Sequence, residues 1–208
     1  MRPLTVVVLA KRPRPGAVKT RLVPPLTHSE AADVAAAALT DTLAAVDRTP
    51  AHRRVLALDG DPVGWERPGW SVVPQATGGL DRRIAAALAA ASGPVLLVGM
   101  DTPQVQPAHL LAFDPGRYDA ALGPATDGGY WAIGLRDPRR AGAVVPGVPM
   151  SQADTGTVQL DRLRAAGLTV QLLPQLTDVD TIETAEVVAG EAPSTRFAAT
   201  LASLRVPR

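Results

Sequence analysis

Leu4-Thr-Val-Val-Val-Leu9 runs directly into Ala10-Lys-Arg-Pro-Arg-Pro-Gly-Ala-Val-Lys-Thr-Arg-Leu22. The first six residues have the length and apolar continuity of a strand buried on both faces, the kind found in parallel sheets. The carboxyl end of such a strand is where open α/β sheets bind ligands. The loop that follows brings Lys11, Arg12, Arg14, Lys19 and Arg21 together, with no acid before Glu30. Like charges at this density repel one another, and an anionic partner relieves the repulsion. Pro13 and Pro15 stiffen the loop, and Gly16 admits close backbone approach at one point. The segment therefore reads as a phosphate-holding loop, although the charges alone also suit a solvated surface. Gly16-Ala-Val-Lys19-Thr20 is no Walker motif, because the glycine before the lysine is missing.

Outward from this loop, strand-like and helix-like segments alternate. Thr27-His-Ser-Glu30 has the spacing of a capping box, ahead of an alanine-rich helix to about Val46. Strands are expected at Arg54–Leu58, Pro94–Val98, Asp119–Leu122, Trp131–Ile133 and Thr169–Leu173, and helices at Leu80–Ala91, Pro107–Phe113, Gln159–Ala166, Thr181–Val188 and Thr195–Leu204. This alternation predicts one three-layer α/β/α domain over residues 1–208 with a mostly parallel sheet.

Composition narrows the function. The chain has 208 residues, 46% of them hydrophobic, enough to bury a large core. Its net charge of +1 gives no global attraction to nucleic acid, and 3% aromatic content leaves few rings for base stacking. The longest apolar runs are too short to span a bilayer, and no signal-peptide core is visible, so a cytoplasmic location is expected. The lack of cysteine removes disulfides, thiolate metal sites and cysteine nucleophiles. Oligomeric state is left open.

Val98-Gly-Met-Asp-Thr-Pro103 is the second informative stretch. A buried strand ending in Asp101 sets a carboxylate at the same sheet edge as the basic loop. Carboxylate beside phosphate is repulsive unless a hard cation such as Mg²⁺ or Mn²⁺ lies between them. Asp101 could instead cap a turn or short helix. Leu176-Thr-Asp-Val-Asp-Thr181 offers Asp178 and Asp180 as further ligands, with Asp180 also suited to cap the next helix. Gly123-Pro-Ala-Thr-Asp-Gly-Gly-Tyr-Trp131 offers Asp127 as a general base, because a hydroxyl nucleophile needs a carboxylate within hydrogen-bond reach. Gly128, Gly129, Tyr130 and Trp131 would then line the acceptor side, where rings cover apolar sugar faces. Asp-Gly-Gly is also an ordinary hairpin turn.

Taken in order, these motifs together with Gln75-Ala-Thr-Gly-Gly-Leu80 resemble the bacterial DUF2064 family of proposed glycosyltransferases, over nearly the whole chain. The resemblance implies the GT-A, or nucleotide-diphospho-sugar transferase, fold, which nucleotidylyltransferases share. It implies nucleotide phosphates held by Lys11, Arg12, Gly16, Lys19 and Arg21 with Gln75 and Gly79, and a metal on Asp101. One segment departs from the family, which commonly has Leu-Gly before Glu-Arg-Met where this chain has Gly79-Leu80-Asp81-Arg82-Arg83-Ile84.

Three function classes follow. A glycosyltransferase would take a nucleotide-sugar donor and a small acceptor. A nucleotidylyltransferase would hold a triphosphate, with Lys19 and Arg21 offsetting charge at the attacked phosphorus. A non-catalytic nucleotide-binding module is the third.

Overall fold

The apolar run at the N-terminus forms the central strand of the sheet. A computed structural model describes residues 4–204. In it β1 (Thr5–Lys11) pairs in parallel with β2 (Arg53–Asp59) on one side and β4 (Val95–Gly99) on the other. β3 (Trp70–Pro74), β5 (Ala120–Pro124), β6 (Tyr130–Leu135) and β7 (Val170–Leu172) complete one seven-stranded sheet in the order β3-β2-β1-β4-β6-β5-β7. Only β6 runs against its neighbours β4 and β5, because the short Ala125–Gly129 connection folds it back as a hairpin. The expected, mostly parallel α/β architecture is present.

Side-chain alternation along the strands builds a core on each face. Val6 and Val8 pack toward α1 (His28–Asp47) with Leu56, Leu96 and Val98. Val7 and Leu97 point the other way, toward Ile84 and Leu88 of α2 (Leu80–Ala89) and Leu163 near the end of the sheet-covering helix at Thr155–Ala165. A third cluster joins the outer face of α1 to two C-terminal helices at Ile182–Glu191 and Arg196–Leu204 through Val34, Val188 and Phe197. The predicted capping box is formed. Glu30 N–H donates to Thr27 Oγ1 at 3.2 Å, and Thr27 N–H donates to Glu30 Oε2 at 2.8 Å. No helix among the described residues is long and apolar enough to cross a membrane.

At the end of the sheet away from the basic loop, Asp119 ties three strands. Its Oδ2 accepts from Thr169 N–H at 2.9 Å and Thr169 Oγ1–H at 2.6 Å, while Oδ1 takes the Arg136 guanidinium. These hydrogen bonds from Thr169, aided by Arg136, hold the carboxyl below its ordinary value. Asp119→Ala is expected to lower stability at neutral pH by about 2 kcal/mol. A carboxyl lowered by folding contributes fully above the unfolded value, near pH 4, and loses its contribution as pH falls through the folded one. Denaturant unfolding at pH 7 and pH 3 should show the difference between wild type and variant shrinking in acid. A difference that stays constant would reject this role for Asp119.

Candidate functional site

The carboxyl ends of β1 and β4, the β5–β6 turn and the segment after β7 meet at one edge of the sheet. Backbone hydrogen bonds assemble it: Val179 N–H donates to Asp101 O at 2.9 Å, Thr126 N–H to Leu176 O at 3.0 Å and Leu176 N–H to Pro124 O at 3.1 Å. Gln104 anchors the same segment, its Nε2 donating to Thr177 O at 2.7 Å. Asp101, Asp127, Asp178 and Asp180 are thereby gathered at the edge that the basic loop faces.

Lys19 is the centre of this arrangement. Its side chain is only 6% exposed, with Nζ 2.5 Å from Asp101 Oδ1 and 3.7 Å from Asp180 Oδ1. Nζ also donates to the Val179 carbonyl. Arg21 sits on the outer side of Asp180, Nη1 to Oδ2 at 3.1 Å, with its own side chain 74% exposed. Asp178 is the deepest of the acids, and its Oδ1 is buried without a hydrogen-bond partner. Burial first, then the charges of Asp101 and Asp127, push its carboxyl up to about 7, against a smaller opposing pull from Lys19.

The remaining cations of the loop divide by position. Lys11 closes β1, where it is exposed, and its N–H points to Met100 Sδ at 3.3 Å. Arg12 is engaged elsewhere than expected. It donates to the carbonyls of Asp61 and Val63, the latter at 2.9 Å, and lies 3.8 Å from the Asp61 carboxylate. That clasps β1 to the loop after β2 and directs the guanidinium away from Asp101. Gly16 has φ +74, as the turn between the prolines and Lys19 requires, and a Cβ there would meet nothing within 4 Å.

Gln75 and Gly79 have architectural duties. Gln75 Nε2 donates to Ala10 O at 2.8 Å and Ala57 O at 3.0 Å, joining the ends of β1 and β2, while Oε1 accepts from Arg83 Nη1 at 3.1 Å. Gly79 opens α2 at a point where a Cβ would press on Asp81 Oδ1 at 2.6 Å. Arg83, which no motif singled out, completes this brace by reaching Asp59 Oδ2 at 3.3 Å. Only the fold, which brings α2 to the ends of β2 and β3, reveals it.

The acceptor-side expectation needs correction. Residues 125–129 do form a hairpin turn, and Tyr130 and Trp131 begin β6, where consecutive side chains point to opposite faces. Trp131 is 2% exposed and fills the α1-side core; its Nε1 donates to Pro174 O at 2.9 Å and its indole lies over Gly123. Tyr130 faces the opposite layer near Met150 and Gln159, where burial and the Asp81 charge push its phenol up. The two rings therefore do not share a cleft. Gly128 serves close packing, since Gly156 N–H donates to its carbonyl oxygen at 2.8 Å and a Cβ on Gly128 would lie 1.8 Å from Ala153 O, whereas a Cβ on Gly129 would meet only the Asp127 carboxylate, at 3.1 Å. Asp127 alone of the set is exposed at the site edge, with Oδ1 accepting Gly129 N–H at 2.8 Å.

Known proteins agree with this fold. No functionally curated protein matches the chain in sequence. Among solved structures, a candidate nucleotide-diphospho-sugar transferase from Desulfovibrio desulfuricans is 30% identical, with a TM-score of 0.87 over 99% of this chain and 95% of that one. The Rv0371c protein of Mycobacterium tuberculosis in complex with manganese is 23% identical, with a TM-score of 0.55 over 89% and 97%. The inositol-1-phosphate CTP transferase from T. maritima, 12% identical with a TM-score of 0.58 over 90% and 94%, shares the fold. The profile of DUF2064, described as an uncharacterized protein conserved in bacteria, matches residues 32–152, more than half of the sequence, and the chain belongs to that family.

Proposed function

We propose that this chain is a divalent-metal-dependent transferase that binds a nucleotide-sugar donor by its phosphates and passes the sugar to a small acceptor. The observation that carries this reading is the wedge of Lys19 between Asp101 and Asp180, with Arg21 at the rim, beside the carboxyl end of β1. It offers phosphate-binding cations and cation-binding acids in one place. The 30% identical structure, named for nucleotide-diphospho-sugar transferases, supports the same class.

The residues fit Mg²⁺ or Mn²⁺. Carboxylate oxygens suit hard cations, and the buried, unpartnered Asp178 Oδ1 lies in a site whose other acids repel its charge. Asp101 and Asp178 would hold the ion, with Asp180 at the side. Among the described residues no group of three or more His, Cys, Asp or Glu side chains is arranged to hold a metal ion. Phosphate and water would have to complete the shell, as they commonly do for Mg²⁺ held by one or two carboxylates. When bound, the ion supplies positive charge to the departing diphosphate.

The chain's own groups do the rest. Lys19 and Arg21 donate hydrogen bonds to diphosphate oxygens as negative charge builds there. The acceptor oxygen bonds to the sugar's anomeric carbon, the bond from that carbon to the diphosphate breaks, and the acceptor proton passes to Asp127 Oδ2. The Gly129 N–H on Oδ1 orients that carboxylate. Nucleotidylyl transfer is the second reading, favoured by the burial of Trp131, which leaves no ring to cover an acceptor sugar at that position.

A panel of nucleotide sugars and nucleoside triphosphates, each with candidate acceptors, separates the readings by product. Release of nucleoside diphosphate supports sugar transfer, and release of pyrophosphate supports the second reading. Asp127→Asn should lower turnover by about 100-fold or more while leaving donor affinity within about twofold, as loss of a general base requires. Equal loss of donor affinity would assign Asp127 to donor binding.

A further inference from the structure

Lys19 is coordinated much as a metal ion would be. Its ammonium has Asp101 Oδ1 at 2.5 Å, Asp180 Oδ1 at 3.7 Å and the Val179 carbonyl as oxygen neighbours, and its side chain is almost withdrawn from water. The backbone contributes to this placement. Lys19 has φ 48, a left-handed conformation disfavoured for a residue with a side chain, and the loop is pinned there as Leu22 N–H donates to Lys19 O at 3.0 Å. Two of the oxygens belong to acids proposed above to hold or flank a divalent cation. One small volume thus has two claimants of the same sign.

Coulomb repulsion between a divalent ion and an ammonium a few ångströms apart works against both keeping full contact with Asp101. The lysine stem is flexible, so its head can leave while the backbone stays. The side chains of Asp101 and Asp180 are themselves 43% and 41% exposed, so the ammonium that they hold borders solvent. We propose that Lys19 is an internal counter-ion for Asp101 and Asp180, and that a divalent cation displaces it and sends its ammonium to the substrate phosphates. This inference rests on the metal reading given under Proposed function. Its consequence is coupling: the ion alone binds weakly because it must evict the ammonium, whereas a phosphate that accepts Lys19 strengthens ion binding, and the reverse holds equally. Lys19 neutralises the acids until an ion takes its place, which happens most readily when a phosphate is present to accept the ammonium.

The sequence makes the test tractable, since Lys11 and Lys19 are its only two lysines. Mn²⁺ alone is titrated into the full chain, with the free ion followed by electron paramagnetic resonance. Lys19→Met should bind Mn²⁺ about tenfold or more tighter than wild type, within the usual range of coupling between sites. Asp101→Asn should bind it more weakly than wild type. In parallel, amine acetylation read by mass spectrometry should find wild-type Lys19 slow relative to Lys11 without metal and faster at saturating Mn²⁺. Equal Mn²⁺ affinity in wild type and Lys19→Met overturns the exchange while leaving the ion site at Asp101 standing. Absence of Mn²⁺ binding in both overturns the metal reading and the exchange with it. If Lys19→Met fails to fold, the acetylation result decides alone, and Lys19 unreactive at saturating Mn²⁺ overturns the proposal.

Discussion

Asp101→Asn is expected to lower metal-dependent turnover by about 100- to 1,000-fold, the loss usually seen when one group that stabilises developing charge is removed. Asparagine keeps the size of the side chain and one oxygen, so the end of β4 is preserved. The backbone carbonyl of residue 101 still accepts from Val179 N–H, and the segment carrying Asp178 and Asp180 stays in place. What is lost is the negative charge that holds Lys19 at 2.5 Å and that would hold a divalent ion. Rates measured over a Mg²⁺ series should show the variant responding weakly to metal, with circular dichroism showing that it is folded. Full metal-dependent turnover in Asp101→Asn, or no effect of chelator on wild type, would contradict the assignment.

Gly128→Ala should produce the largest loss of stability, about 3 kcal/mol or more, from left-handed strain together with overpacking. Gly128 has φ +90, and a Cβ there would lie 1.8 Å from the carbonyl oxygen of Ala153, a backbone atom that cannot swing aside. Relief requires the 125–129 turn to lift off the start of the Thr155–Ala165 helix, breaking the Gly156 to Gly128 hydrogen bond and moving Asp127. Gly16→Ala is the matched control. Its φ of +74 imposes similar backbone strain, but nothing lies within 4 Å of the added carbon. The control should lose only about 1–2 kcal/mol, the conformational part. Denaturant unfolding of both variants checks this, and equal losses would show that contact with Ala153 does not matter.

Features encoded by local chemistry were legible in the sequence. The capping box at Thr27 and Glu30 and the buried strands β1 and β4 with their continuous apolar runs depend on neighbours a few residues apart, although β4 stops at Gly99, two residues before Asp101. The reversal of β6 was implicit in Asp-Gly-Gly, which can be a hairpin turn, and so was the divergence of Tyr130 and Trp131, because adjacent strand residues face opposite layers. β3 was hidden. Trp70-Ser-Val-Val-Pro74 lies at the sheet edge, only partly buried and ending in proline, so it lacks the apolar continuity of the central strands. The partners of the basic loop were hidden for another reason. Arg12 meets Asp61 and Val63, and Lys19 meets Asp101, Val179 and Asp180, through pairings of distant strands that charge density cannot reveal. The same holds for Gln75, whose amide joins β1 to β2 only once those strands are neighbours.

The central claim is that the loop after β1 grips nucleotide phosphates with Lys19 and Arg21. Calorimetric titration of a nucleotide-sugar and triphosphate panel in the presence of Mg²⁺, on wild type and on the Lys19→Ala/Arg21→Ala double variant, tests it most directly. Loss of two charge-assisted hydrogen bonds predicts binding weaker by about 2 kcal/mol or more, roughly 30-fold, with the fold retained by circular dichroism. Nucleotide affinity unchanged in the folded double variant would contradict it.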